Sequence, residues 1–447
     1  MTVVAFIIGL LLMIVGLAVS IALHEIGHLV PAKRFGVHVG QYMIGFGPTL
    51  WSRRYGETQY GFKAIPLGGY ISMSGMYPPS PKERAAAAEG RLEGRAGGGF
   101  FATLVQDARV ANDETLLAGE ERVFYKLPVY KRIIIMLGGP FMNLLLAILL
   151  FTIVFSGIGI QQATTTVASV SECVISAAED RTDCSSSDPV APAAAAGIRP
   201  GDVIESIDGT PVATFAEASA IIRVSPATQL DVVVTRDGQA LTLQVTPLEN
   251  TVAVTDASGN AVLDAEGDPQ TQEVGFIGIR PQSALTPQPI WAGPEAALQN
   301  VGAVAGIIWQ LPVKVYDTAV TLFTGGERDP NGPLSVVGAG VIAGEVAASD
   351  APILNRVSGF LGLLASLNIA LFVFNLVPLL PLDGGHVVVA LWDGLKRAWS
   401  KIFRRGAPQP VDATKLVPVT FVVVILLVGM GAILILADLI NPVSIIQ

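Results

Sequence analysis

Met1 to Leu23 contains no charged side chain, and the run ends directly on His24-Glu25. In lipid a backbone must satisfy its own hydrogen bonds, and about 20 apolar residues in a helix cross roughly 30 Å of hydrocarbon. Three more runs meet that length: 133–160, 357–382 and 416–437. Composition agrees, with 51% of residues hydrophobic and 15% charged, where soluble domains carry about 25% charged residues. Mean hydropathy is +0.56. Such a chain buries apolar surface in a bilayer, which excludes disordered, collagen-like and disulfide-scaffold folds. A net charge of −9 argues against general nucleic-acid binding. The first run lacks a basic leader and a small-residue cleavage site, so it reads as a retained span rather than a signal peptide.

Charge asymmetry orients the spans. Lys and Arg outnumber Asp and Glu by 14 to 9 over residues 31–132 and by 6 to 2 over 393–415. Over 159–350 the balance reverses to 7 against 23. Basic residues gather on cytoplasmic loops, and Lys33-Arg34, Lys131-Arg132 and Lys396-Arg397 stand at span ends. Both termini and the acidic segment are therefore expected outside the cytoplasm. Cys173 and Cys184, 11 residues apart in that segment, can form a local disulfide there.

Between the spans lie three soluble parts. Residues 37–75 are punctuated by glycine and partly alternating, which predicts a small membrane-associated β-loop. Residues 76–130 turn to Pro, Ala, Gly and Glu and read as a cytoplasmic insert. In 161–285, the turn Gly197-Ile198-Arg199-Pro200-Gly201-Asp202 leads into a short strand and an Asp208-Gly209 turn. A helix over 215–224 follows, then strands 230–235 and 241–246 joined at Asp237-Gly238. Residues 249–273 read as an inserted loop. Over 286–352 an interfacial helix (295–323) and a linker are expected, because Lys314 and Asp317 fall inside the apolar stretch. The first span with its motif covers 1–31 and the second 131–160. The third is expected over 353–390, a basic loop over 391–415 and the fourth span over 416–440.

His24-Glu25-Ile26-Gly27-His28 carries the chemistry. Histidines at i and i+4 face one point, as two ligands of a tetrahedral zinc must, and the intervening glutamate can move a water proton. Ionisable groups at the end of an apolar span are expensive unless they act. A catalytic zinc then needs a third protein ligand. Asp383 follows Asn375 and the helix breakers Pro378 and Pro381, and both it and His24 lie toward the cytoplasmic ends of their spans. That shared depth makes Asp383 the natural third ligand. His38 and His386 are not expected to coordinate. Asn143, a buried amide on the second span, needs a partner near the site.

The Gly197–Asp202 pattern resembles a bacterial PDZ domain, with Gly197, Ile198, Gly201 and Asp202 as the matching residues; PDZ sheets take an extended segment as an added strand. Taken with it, His24-Glu25-x-x-His28, Gly139-Pro140 with Asn143, and Asn375 with Leu382-Asp383-Gly384 resemble the site-2 protease family of intramembrane zinc metalloproteases. The bacterial regulator of sigma-E protease type is the most similar subgroup. The resemblance implies a multi-pass α-helical membrane protein with four transmembrane helices, a membrane-associated β-loop and an inserted extracytoplasmic PDZ domain. It also implies one Zn2+ per chain on His24, His28 and Asp383, with Glu25 as acid and base and Asn375 touching substrate. Ile65-Pro66-Leu67-Gly68-Gly69-Tyr70 resembles the family's membrane-reentrant β-loop, so Gly68, Gly69 and Tyr70, with Asn143, become substrate-binding candidates. The implied substrate is a single-pass membrane protein in the bacterial cytoplasmic membrane, such as an anti-sigma factor already trimmed by a site-1-type protease. One PDZ-like stretch rather than two, and the 76–130 insert, depart from the best-known members. With the site toward the cytoplasm and the acidic domain outside, that domain is expected to filter substrates by size. The competing reading is a membrane-anchored PDZ scaffold with a structural or inactive zinc site, which would not need Glu25.

Overall fold

The computed structural model describes residues 2–76, 122–174, 184–185, 188–254, 270–326, 328–329, 332–404, 406, 411 and 416–443, so 77–121, most of the expected 76–130 insert, lies outside it. The chain forms two compact units, Met1–Ile158 with Pro289–Gln447, and Gly159–Gln288.

The first unit begins with helix α1 (Thr2–Arg34), which runs unbroken through His24-Glu25-x-x-His28 and ends on Lys33 and Arg34. Strands β1 (Val39–Tyr55) and β2 (Thr58–Met73) follow as a long antiparallel pair. The hairpin curls, so β1 meets β2 twice. Tyr42 lies opposite both Ile71 and Tyr60, and Ile44 opposite both Gly69 and Phe62. Residues 69–73 thereby form one border of the curled sheet. Gly45 permits the bend with φ +92, and a Cβ there would sit 2.6 Å from the Ile65 carbonyl oxygen. Helix α2 (Val129–Thr152) continues through a π-helical turn, Ile153–Ile158.

The second unit is mostly sheet. Its elements are β3 (Ile160–Val170), α3 (Pro192–Ala195), β4 (Val203–Ile207), β5 (Thr210–Pro211), α4 (Phe215–Arg223), β6 (Leu230–Arg236), β7 (Gln239–Val245), β8 (Leu248–Ala253), β9 (Thr271–Phe276) and β10 (Ile279–Thr286). The main sheet runs β10-β3-β4-β6-β7, with β5 paired to β4. Alternation along β6 buries Leu230, Val232 and Val234 against Ala218 and Ile222 of α4. Thr214 and Glu217 close a capping box at the start of α4. Asp237 and Gly238 take positive φ between β6 and β7, as a two-residue hairpin turn requires. Cys173 and Cys184 are disulfide-bonded. One expectation changes here. The 249–273 stretch is not a plain loop, because β8 and β9 pair over Leu248–Ala253 and Thr271–Phe276. Thr251 and Val252 suit a strand, and only the intervening residues lie outside the described part.

Back in the first unit come α5 (Ala292–Thr324), α6 (Val336–Ala348), α7 (Ile353–Asn375), α8 (Asp383–Ile402) and α9 (Val417–Ile440). Among the described residues five helices are long and apolar enough to cross a membrane: Val3–Arg34, Val129–Ile158, Ala292–Thr324, Ile353–Asn375 and Val417–Ile440. Four were expected. The additional one is the stretch read as interfacial, and its mean hydropathy of 1.3 is the lowest of the five. The expected linker contains α6, whose small residues let α1 come close; a Cβ at Gly340 would lie 2.7 Å from Leu10. The third span also differs from expectation. α7 stops at Asn375 because Pro378 and Pro381 cannot continue a helix, and a new helix restarts at Asp383. Asp383 thus belongs to the first turn of α8, which takes up much of the expected basic loop.

Candidate functional site

Glycines make the site possible. α1 and α2 approach so closely that a Cβ at Gly27 would lie 2.6 Å from the Gly138 carbonyl carbon. One residue on, a Cβ at Gly139 would stand 2.6 Å from Cε1 and 2.7 Å from Cδ2 of His28. The imidazole occupies the space that any other residue would fill. On the opposite side, Gly384 and Gly385 let α8 pack against the backbone of 376–380.

Three ligand atoms converge. Nε2 of His24 and Nε2 of His28 are 3.2 Å apart, and each is 3.4 Å from Oδ2 of Asp383. A tetrahedral zinc with bonds of about 2.0–2.1 Å needs ligand atoms about 3.3–3.4 Å apart. The separations fit. Oδ2 of Asp383 is buried and makes no hydrogen bond, which is costly for a carboxylate unless a cation meets it. The tautomers agree as well. Nδ1 of His28 is 2.7 Å from the Ile135 carbonyl oxygen. That oxygen can only accept, so Nδ1 carries the proton and Nε2 presents a lone pair. Nδ1 of His24 lies 3.2 Å from Nδ2 of Asn143, while Oδ1 of Asn143 is buried without a partner. A half-turn of the amide, which exchanges its two ends, gives His24 the same polarity. Among the described residues, His24, His28 and Asp383 are the one group of His, Cys, Asp or Glu side chains close enough to share an ion. His38 is elsewhere, with Nδ1 3.0 Å from the Ser74 hydroxyl.

Beside this cluster is a cavity of about 360 Å³ lined by Ile21, His24, Glu25, Gly68, Gly69, Asn143 and Asn375, among others. Four of the substrate-binding candidates therefore share one space with Glu25. Tyr70 does not line it. Its hydroxyl donates to Oε1 of Gln41 at 3.0 Å, and Lys63 stands over its ring. Asn375 reaches the cavity while donating to the Leu371 carbonyl at 3.0 Å. The hairpin is docked to α1 by the Tyr42 hydroxyl, which donates to the Ala22 carbonyl at 2.9 Å. Sequence reading missed two groups. The Ile135 carbonyl left no signal, being backbone. Asn368, fully buried on α7, donates to Ser20 Oγ one turn before His24; an amide within an apolar span was a signal for it.

In the second unit, Gly197, Ile198, Gly201 and Asp202 serve the scaffold. Arg236 donates to both oxygens of Asp202 at 2.7 and 2.8 Å. That guanidinium holds the Asp202 carboxyl below its usual range. None of the four lines the cavity of about 230 Å³ in this unit. Its walls are Phe215, Ser219, Ile222 and Arg223 of α4, Asn250, and residues 274–279 leading into the edge strand β10.

Two histidines and an aspartate converging on one point, with a glutamate in the neighbouring cavity and membrane-length helices around them, are the equipment that a membrane metallopeptidase needs. Comparison with known proteins agrees. The model of Peptidase family M50 matches residues 12–409. The chain is 34% identical to Zinc metalloprotease Rip1 of Mycobacterium tuberculosis over 99% of this chain and 100% of that protein. It is 32% identical to Zinc metalloprotease Rip1 of Mycolicibacterium smegmatis over 98% and 99%. Metalloprotease MmpA of Caulobacter vibrioides is 27% identical over 87% and 88%. The chain belongs to peptidase family M50, the site-2 proteases, and is a membrane-embedded zinc metalloprotease.

Proposed function

We propose that His24, His28 and Asp383 hold the zinc, that Glu25 is the acid–base residue, and that the enzyme cuts within the membrane span of single-pass proteins. The near-equal separations of Nε2, Nε2 and Oδ2 carry this reading. Zinc, when bound, supplies Lewis acidity toward water and a carbonyl oxygen. Glu25 receives the proton of the attacking water and returns it to the leaving amine nitrogen. A helical span hides its peptide groups, so substrate must unwind to be cut. Gly68 and Gly69 lie where β2 borders the cavity, and a Cβ on Gly69 would come within 3.1 Å of Glu25 Cγ. Bare backbone beside the acid–base group suits capture of an extended segment as an added strand, with Asn375 as a polar contact.

The substrate we infer is an anti-sigma factor already shortened by a site-1-type protease; the enzyme is read as lying in the bacterial cytoplasmic membrane with its own two termini outside, which has α5, the least apolar of the five long helices, rest at the interface rather than cross. The second unit is read as the PDZ domain, acting as a size filter. Ile160 pairs with Thr286, so the unit's two ends are adjacent and it can be excised whole, with β3 and β10 removed together. Excision of 160–286 behind a short linker is expected to allow cleavage of untrimmed substrate; loss of cleavage of trimmed substrate in a zinc-loaded protein would mean recruitment. The proteolytic reading is tested by reconstituting the enzyme with single-pass substrates. Cleavage should stop on zinc chelation, return with zinc, and be absent from Asp383→Asn. Cleavage by chelated enzyme or by Asp383→Asn at the wild-type rate would refute it.

A further inference from the structure

α8 carries a second surface besides Asp383. Leu391, Trp392, Leu395, Trp399, Ile402 and Phe403 are each more than half exposed. At 100° per residue they fall within an arc of about 120°. Arg397 and Lys401 are exposed toward the opposite side, and Arg404, two residues past the helix end, is exposed as well. The only acid on α8 beyond Asp383 is Asp393, which is buried and accepts from Arg132 at 2.9 Å. Its other oxygen accepts from the Val411 backbone N–H. That ion pair fastens the middle of α8 to the first turn of α2. Beyond it, the exposed side chains are apolar on one face and positive on the other.

We propose that this half of α8 seats in the bilayer interface and that its basic face binds anionic phospholipid headgroups. Two observations select that occupant. α2, tied to α8 through Arg132, also exposes apolar side chains at the same end, where Tyr130 is 60% and Ile134 46% exposed. The composition of α8 itself, two tryptophans on the apolar face and cations on the other, is that of a helix lying between acyl chains and phosphates. Each basic residue near an anionic leaflet strengthens such binding roughly fivefold. α8 is continuous from Asp383 to Ile402. Holding its far half therefore limits movement of its first turn, and anionic lipid should slow loss of zinc. This last consequence rests on the assignment of Asp383 as a ligand.

The test uses the full chain in nanodiscs of phosphatidylcholine alone or mixed with phosphatidylglycerol. With Trp51, Trp291 and Trp309 replaced by Phe, Trp392 and Trp399 are the remaining tryptophans. Lipids brominated on the acyl chain should quench them strongly and aqueous iodide weakly. Zinc loss to a chelator should be several-fold slower with phosphatidylglycerol. Arg397→Gln, Lys401→Gln and Arg404→Gln together should erase that difference while leaving zinc content and cleavage in phosphatidylcholine unchanged. Iodide quenching without bromine quenching would place the stripe in water or against a protein and overturn the proposal. So would zinc loss that ignores lipid charge, or a lipid effect that survives the triple substitution. The quenching arm needs neither zinc nor substrate, so it reads independently of the proteolytic assignment.

Discussion

Gly139→Ala adds one methyl group to α2 and should disable the metal centre. The new Cβ would lie 2.6 Å from Cε1 of His28, where ordinary contact begins near 3.4 Å. The ring must retreat by about 1 Å, whereas metal–ligand distances tolerate roughly 0.2 Å. It cannot swivel away freely, because Nδ1 is held by the Ile135 carbonyl at 2.7 Å. Backbone movement is equally blocked, since α1 and α2 already touch at Gly27 and Gly138. Disturbing a ligand's support typically lowers metal affinity 10–100-fold, and moving the ligand itself should reach at least the upper end of about that range. Purified Gly139→Ala should therefore contain little zinc by elemental analysis, with cleavage lost in proportion. Gly302→Ala is the control, since a Cβ there meets nothing within 4 Å. Normal zinc content and activity in Gly139→Ala would refute the packing argument.

Asn143→Ala should lower zinc affinity about 10–100-fold with the fold intact, measured by competition with a chelating dye; unchanged affinity would free Asn143 from supporting His24. Asp438→Ala removes the buried partner that Arg328 meets at 2.5 Å and the acceptor of the Ser335 and Gly338 amides. Loss of about 3–5 kcal/mol is expected, read as a lowered thermal midpoint, and an unaltered midpoint would contradict it. Asp202→Asn should destabilise the second unit at neutral pH. Because the folded carboxyl is depressed, its contribution is present above the unfolded value of 3.8 and disappears as pH falls through the lower folded value. Hydrogen exchange of β4 and β6 against pH should show wild type and variant converging only in acid.

Much of the site could be read from residue spacing, because i, i+4 histidines on a helix must face one point whatever surrounds them. The aspartate was found from its depth and its helix-breaking neighbours, but not its element. Prolines announce where a helix stops, whereas the restart at Asp383 depends on Gly384 and Gly385 packing against 376–380. Backbone partners such as the Ile135 carbonyl have no identity in a sequence. Pairs far apart along the chain, Arg132 with Asp393 and Arg328 with Asp438, look like ordinary span-flanking charges until the fold buries them. α6 escaped notice for another reason. Its three glycines and four valines have weak helix propensity, its glycines and alanines add little apolar bulk, and the helix is held by close contact with α1 rather than by local preference. In the second unit the residues that matched a motif proved to be scaffold, while the cavity is lined by α4 and 274–279.

The most direct test is to map the cut by mass spectrometry in a trimmed single-pass substrate incubated with wild-type enzyme and with Glu25→Gln at equal zinc content. Glu25 lines the cavity beside the ligands without being one of the three converging atoms. The account predicts a cut inside the substrate's apolar span with wild type and none with Glu25→Gln. A cut outside the span, or the same cut at the same rate from zinc-loaded Glu25→Gln, would contradict it.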